Sequence, residues 1–555
     1  MTRALAPALS AHWTRTRADP RPRIREPGTS QRGRAANITR KSVDSHESPT
    51  YPAYMNANTP RSGGPNNPAA ATPVIDPVDS RKGGLPLLMF VLITAAVAFQ
   101  LNASMLSPVL RTMATELNTD ESAVGLTQTA FFTGGAMCGL FLPRLSDIVG
   151  RRRILVIMLA VMSLGGLLAA LAPNIGVLML ARALQGISGP TIPMTLIILR
   201  SQVKDEVRLG TLMGLIAAIN GGVAGIDVLL SGWMAEHWGF RSVFWLIFAV
   251  GAVATVVVAM FAPESKPSDN VRMDWIGAAV LVVSVLSITL AANEAGKGAA
   301  ADWLYVIGLV AAGLIVFAIF WRWETRQENT AGAAPLVAPK YLRRRETWGL
   351  LLTTVLTMTG VFAAVNGVAP SLAQNAEAGF GMRATMASLL LLTPYALIGW
   401  AVGPFAGRLA PKVGYANLLR LSNIASMLLL FLLAFVGTRS KIVLIVGVIL
   451  LGVTYAGIGN IVLNNLGVVN SPQDNQGFLP GMNSAAFNLG AGISFAVLPV
   501  FQVVGSPEGS DSATGYTTAF LVGGIILGLA ALTSLFIPKT TTAEQEAAAQ
   551  ENATA

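Results

Sequence analysis

A chain of 555 residues that is 53% hydrophobic, only 12% charged and has a mean hydropathy of +0.57 carries more apolar surface than a soluble fold can hide. Its net charge of +10 is not a nucleic-acid signature, because residues 1–83 hold 13 Lys/Arg against 6 Asp/Glu, a net of +7, and leave only +3 for the other 472 residues. One cysteine (Cys138) and three histidines (His12, His46, His237) give no disulfide framework, no metal-ligand spacing and no catalytic centre, so no enzyme, metal, cofactor or nucleic-acid partner is expected.

Residues 1–83 are rich in Pro, Arg, Ser, Asn and Gly without periodicity, and are expected to form a disordered cytoplasmic tail. Pro7, the scattered arginines and the lack of an apolar run before residue 85 argue against a signal peptide. Translation from Met55 would shorten the tail to 55–83; finding peptides from 1–54 in the intact native protein excludes that start. From 85 onward, apolar runs of membrane-crossing length recur. They lie at 85–108, 123–142, 154–173, 175–199, 209–235, 243–262, 275–293, 303–321, 348–372, 384–407, 421–438, 442–464, 481–503 and 516–537. Fourteen spans predict an all-α integral membrane fold: a six-helix bundle over 84–263, a linker with two additional transmembrane helices over 264–346, and a second six-helix bundle over 347–538. Residues 539–555 form a polar C-terminal tail.

The turn Pro143-Arg-Leu-Ser-Asp147-Ile-Val-Gly150-Arg-Arg-Arg153 joins the second and third runs and is too charged for hydrocarbon. Its arginines fix that face as cytoplasmic, and Gly150 supplies the reversal. With the N-terminus inside, the cytoplasmic segments from Arg81 onward hold 21 Lys/Arg and the external loops 6, which puts both termini in the cytoplasm of a plasma (inner) membrane protein. Arg144-Leu145…Val149-Gly150 recurs as Arg408-Leu409…Val413-Gly414, again between apolar runs. Two related halves joined by an insertion make an alternating-access design, with a site near the membrane midplane.

The Pro143–Arg153 stretch resembles the loop signature of the major facilitator superfamily, Gly-x-x-x-Asp-x-x-Gly-Arg-Arg; Asp147, Gly150, Arg151 and Arg152 match it and Pro143 replaces the first glycine. Leu180-Ala-Arg182-Ala-Leu-Gln185-Gly186 resembles that superfamily's second signature. Fourteen spans, Asp274-Trp275 with Trp303, and Pro335-Leu336-Val337 resemble its 14-spanner drug:proton antiporter branch over 85–537. That resemblance implies export of small amphipathic or hydrophobic compounds coupled to protons. The branch's fifth-span signature, Gly-x-x-x-Gly-Pro-x-x-Gly-Gly, survives only as Gly221 and Gly225, with Ile226 for the proline and Leu229-Leu230 for the closing glycines. Gln100 and Asn102 stand where the first span would carry a carboxylate.

Asp147, Gly150, Arg151 and Arg152 form the expected gating loop, its carboxylate pairing with arginine near a helix end. Arg182 is the one Lys or Arg within a span and costs at least about 2.5–3.5 kcal/mol there unless partnered. Asp227 is the one acidic residue well inside a span, at similar depth on the adjacent antiparallel helix, so the two are expected to face each other or share a cavity and to carry proton coupling. Gln100, Asn102, Gln185, Phe362, Asn366, Tyr455 and Asn460 are the expected substrate-binding residues. The reading is a secondary transporter in the lipid bilayer, proton-coupled, exporting small molecules of multidrug type. Its alternatives are a metabolite or nutrient permease and a non-transporting membrane sensor.

Overall fold

The structure, a computed structural model, describes residues 84–203, 205–264, 273–295, 301–329, 336–337, 339–472, 478–506 and 512–538. The expected tails, 1–83 and 539–555, lie outside the described residues. Every regular element described is helical: α1 (Gly84–Ser104), α2 (Leu110–Glu116), α3 (Glu121–Val149), α4 (Arg151–Ala170), α5 (Ile175–Gly186), α6 (Thr191–Gln202), α7 (Glu206–Trp238) and α8 (Phe240–Phe261). The inserted pair follows as α9 (Trp275–Ala295) and α10 (Trp303–Glu328). Then come α11 (Pro339–Leu342), α12 (Arg345–Ala363), α13 (Ala369–Gln374), α14 (Ala384–Ala387), α15 (Thr393–Val413), α16 (Tyr415–Leu432), α17 (Lys441–Leu451), α18 (Asn460–Val469), α19 (Phe478–Val504) and α20 (Ala513–Thr533). Four π-helical turns, Ala364–Val368, Ser388–Leu392, Leu433–Gly437 and Gly452–Gly459, interrupt or extend helices after α10.

A backbone with no water to bond to must satisfy its own N–H and C=O groups, which is why apolar runs of this length become helices. Among the described residues, twelve helices are long and apolar enough to cross a membrane. Each of the fourteen expected runs is largely helical, the run 175–199 being broken at 187–190 between α5 and α6, but two miss that measure. The run 123–142 lies in α3, whose 29 residues suffice in length but include Thr127, Gln128, Thr129 and Thr133, all buried against protein. The run 275–293 lies in α9, where the apolar stretch is the shorter Trp275–Ala291.

Helices α1–α8 pack among themselves, chiefly α4 on α8, α3 and α4 on α5, and α1 on α7 and α8. In the later part α12 packs on α19 and α20, and α16 on α20. The two groups meet along two seams, α3 on α19 and α7 on α15. The α9–α10 hairpin packs on itself and lays α9 against both α3 and α19. The largest apolar core straddles both groups, from Leu101 to Leu527, and a smaller core belongs to each.

The internal repeat has a backbone counterpart. Gly150 stands at φ 114°, ψ 130° between α3 and α4, and Gly414 at φ 91°, ψ 127° between α15 and α16. A side chain is strained in that region, and at Gly150 a Cβ would also lie 2.6 Å from the Glu264 carboxylate. We expect Gly150→Val to cost about 1–3 kcal/mol of stability, measured as thermal unfolding in detergent. Gly308→Ala, where a Cβ meets open space, leaves the transition unmoved.

Candidate functional site

Of the expected loop 143–153 only Gly150 is non-helical: residues 143–149 continue α3 and 151–153 open α4, and this sharp turn is tied down within the first helix group. Asp147 Oδ1 accepts from Arg151 Nε at 3.1 Å and Nη2 at 3.0 Å, one helical turn on and across Gly150. Arg152 donates to the carbonyl of Ala259 at the end of α8, and Arg153 lies 3.9 Å from Glu264. The aspartate thus braces the start of α4.

Arg182, on α5, is fully buried, and its charge is met by neutral oxygens. Nη1 donates to Asn102 Oδ1 of α1 at 2.9 Å and to Gln185 Oε1 at 2.7 Å; Nη2 donates to Gln128 Oε1 of α3. The guanidinium sits 4.2 Å over the ring of Phe131, a cation–π contact. Asp227, on α7 and 3% exposed, accepts instead from Ser104 Oγ of α1, and Ser104 Oγ accepts from Gln100 Nε2 at 3.0 Å. Among the described residues Asp227 Oδ1 has no hydrogen-bond partner.

The expected Arg182–Asp227 pairing is therefore corrected. Both residues are buried beside α1, but they bond to Asn102 and Ser104, two positions apart and so about 200° apart around that helix. Residue counting fixed their depth and could not fix their direction. Asn102 and Gln185 thus belong to the arginine knot, while Gln100 belongs to the aspartate chain.

Of the other candidates, Phe362 and Asn366 lie where the groups meet. Phe362 packs edge-on against Phe132 of α3 at 5.1 Å, with Phe487 and Phe495 of α19 at 5.9 and 6.0 Å. Asn366 Oδ1 accepts from Ser107 Oγ, just beyond α1, at 3.3 Å. Tyr455 and Asn460 do not join them. The Tyr455 hydroxyl meets Met358 Sδ at 2.8 Å inside the later group, and Asn460 is bonded by Asn464, one turn along its own helix.

Sequence reasoning missed a network on the face opposite the 143–153 turn. Glu121, at the start of α3, accepts from Arg111 at 2.6 Å, from Ser371, and from Gln502 of α19 at 3.2 Å. The Ser371 hydroxyl lies 2.9 Å from that of Tyr516, which accepts from Asn375 at 3.2 Å. Nearby, Glu236 of α7 accepts from Arg383 at 3.3 Å and from Thr385 Oγ1 at 2.6 Å, beside a cleft of about 620 Å³ lined by Glu116, His237 and Gln374. Both clusters bridge the two helix groups. Glu121 reads in sequence merely as a first-turn acid, and its partners across the seam, Ser371 and Gln502, are 250 and 381 residues away.

The α7–α15 seam differs between its ends. Along one face of α7, the Cβ positions of Gly232, Gly225 and Gly221 lie within 2.4, 2.9 and 3.1 Å of Ser388, Leu397 and Trp400. Further toward the turn face, Gly214 and Gly210 meet nothing within 4 Å, and neither does Gly407 of α15. The groups close on one face and part on the other.

Two helical groups around such a seam, with polar residues buried at its centre, define a membrane carrier of the alternating-access class. Residues 92–288 and 273–495 match the Major Facilitator Superfamily, and the chain belongs to it. It is 44% identical over 461 residues, 82% of this chain and 95% of the relative, to a uridine/deoxyuridine transporter of Lactococcus lactis subsp. cremoris (strain MG1363). It is 28% identical over 363 residues, 64% of each chain, to the multidrug resistance protein Stp of Mycobacterium tuberculosis (strain CDC 1551 / Oshkosh). Among solved structures it resembles a D-xylose-proton symporter at 15% identity and a TM-score of 0.58, over 82% of this chain and 98% of that one; this likeness concerns the fold.

The expectation of multidrug efflux is overturned by the 44% identity to a uridine/deoxyuridine transporter; drug-resistance names attach to relatives near 28%. The sequence held the physical reason in its departures. The fifth-span proline and closing glycines of the antiporter branch are Ile226, Leu229 and Leu230, and the first span has Gln100 and Asn102 in place of a carboxylate.

The knot around Arg182 gives a stability prediction. Removing the acceptor with Asn102→Ala, or the cation with Arg182→Met, is expected to cost about 3–5 kcal/mol, read as unfolding in detergent. Arg182→Lys cannot span three amide oxygens and is expected to recover only part of that loss. For the opposite face, Glu121→Ala with Glu236→Ala is expected to raise thiol-reagent labelling at a buried Ser388→Cys by about tenfold, as the closed population falls.

Proposed function

We propose that the chain is a permease for pyrimidine nucleosides of the uridine and deoxyuridine kind. The observation carrying this reading is the 44% identity across 95% of a uridine/deoxyuridine transporter. The chemistry of the seam agrees with it. Phe362 and its aromatic neighbours offer faces on which a planar base can stack. Asn366, Gln100 and the free oxygen of Asp227 offer the donors and acceptors that a base edge and a sugar need.

In this reading the 143–153 turn faces the cytoplasm of the plasma membrane, both termini lie there, and Asp147, Gly150, Arg151 and Arg152 act as the gating loop. Its support is the distribution of Lys and Arg, 21 on that side against 6 on the other. The domains run 84–263, 264–346 and 347–538, inside a lipid bilayer. The external face is then the closed one, held by Glu121 and Glu236. Protons are the coupling ion, and Asp227 carries them. A buried carboxylate with one unpartnered oxygen is favourable when protonated and costly when charged. Arg182 tunes this step through α1 rather than by direct pairing.

The test is uptake of labelled uridine into proteoliposomes under an imposed pH gradient. Uridine and deoxyuridine are expected to compete, an inward-acid gradient to slow entry and an outward-acid gradient to speed it. Asp227→Asn is expected to keep exchange of uridine across the membrane while abolishing the response to the gradient. Failure of wild-type protein to move any nucleoside sinks the substrate assignment. Gradient-driven uptake surviving in Asp227→Asn sinks the coupling assignment.

A further inference from the structure

The α9–α10 hairpin delivers two buried carboxylates to the inner end of α3. Glu324, near the end of α10, is 0% exposed; its Oε2 accepts from the backbone N–H of Val337 at 3.1 Å, and among the described residues its Oε1 has no hydrogen-bond partner. Asp274, 8% exposed, caps α9 by accepting from Gly277 N at 2.8 Å, while its other oxygen accepts from the Trp323 indole at 2.8 Å. A Cβ on Gly277 would lie 2.6 Å from an oxygen of each acid, so both carboxylates converge on one point, and only a residue without a side chain fits between them.

Two adjacent buried anions repel, and burial deepens that cost. The cation placed to offset it is Arg144, one helical turn along α3 from Leu140, which packs against the hairpin core; Glu324, Asp274 and Asp147 all favour its charged form. Arg144 is one residue into the Pro143–Arg153 turn. Around the charges, Ala278, Leu281, Phe320, Leu336 and Val337 pack against Leu140 and Phe141 of α3 and Phe478 and Met482 of α19. The hairpin therefore touches both sides of the α3–α19 seam at the same height as the turn.

We propose that Glu324, with Asp274, is a positioning residue for transport: the inserted hairpin straps the α3–α19 seam, and its carboxylates hold Arg144 so that the 143–153 turn stays set against the second group. This rests on the transport reading but not on which substrate is carried. The clasp lies apart from Gln100, Asp227 and Phe362, so it acts on the rate of the conformational cycle and not on binding.

Two measurements test it, one of which needs no substrate. The distance between spin labels at Arg322→Cys on α10 and Arg153→Cys at the start of α4, in a Cys138→Ala background, is expected to be a single narrow population. Glu324→Gln is expected to broaden it, Glu324→Asp to broaden it less, and Asp302→Asn, at the far end of the hairpin, to leave it narrow. In uridine uptake, Glu324→Gln is expected to lower the maximal rate about tenfold while KM stays within about twofold. Arg144→Gln is expected to give a similar loss, and the double variant no more than either single one. A narrow distribution in Glu324→Gln, losses that multiply in the double variant, or a change confined to KM each overturns the proposal. A wild-type protein that moves no uridine sinks the substrate assignment and leaves the label distances to decide this one.

Discussion

A guanidinium cannot sit bare in the middle of an apolar bundle, and the first half of this protein is arranged around that fact. Arg182 takes one acceptor from α1, one from α3 and one from its own helix, and rests on the face of Phe131. Three helices are therefore held in azimuth by one side chain. Neutral amides hold the charge without a second ion, so the knot stays charged while a nearby carboxylate remains available for other work. Asp227 is that carboxylate. Its link to Ser104 ties it to the same helix that Arg182 grips two residues earlier.

The same economy governs the junction. Apolar faces between helices gain little from association in a bilayer, since lipid tails are equally apolar, so direction must come from polar contacts and close approach. At the face opposite the turn, Glu121 and Glu236 gather donors from the far side of the seam. At the turn face the described ties of Arg151, Arg152 and Arg420 stay within their own groups. The α3–α19 seam keeps contact along its length, from Gly125 at Phe495 to Gly139 at Ala485, whereas α7 and α15 part beyond Gly221. One seam is fitted to hinge and the other to open.

Most of the fold was legible because hydrocarbon imposes a length and forbids unpaired backbone. Twelve of the fourteen runs lie in helices long and apolar enough to cross a membrane, and the two sharp glycine turns came with their repeat. What escaped was direction. Arg182 and Asp227 were placed at one depth, but a residue count says nothing about where a side chain points around its helix. Tyr455 and Asn366 show a second cause. Both lie in π-helical turns, which shift the register by a residue, so a 3.6-residue period misdirects them; Tyr455 turned inward to Met358, while Asn366 reached the seam. The Glu121 network escaped for a third reason, since Ser371, Gln502 and Tyr516 are 250 or more residues away and no local pattern joins them.

Direction also explains why family likeness misled where chemistry did not. The antiporter branch and this chain share the turn and the second signature, both of which describe scaffold. The chain departs from that branch in its fifth and first spans. A proline-free fifth span, with Ile226 and Leu229 in place of proline and glycine, lets α7 run as one unbroken helix of 33 residues past α15. Gln100 and Asn102, which stand in place of an acid in the first span, are bonded within the protein, to Ser104 and Arg182.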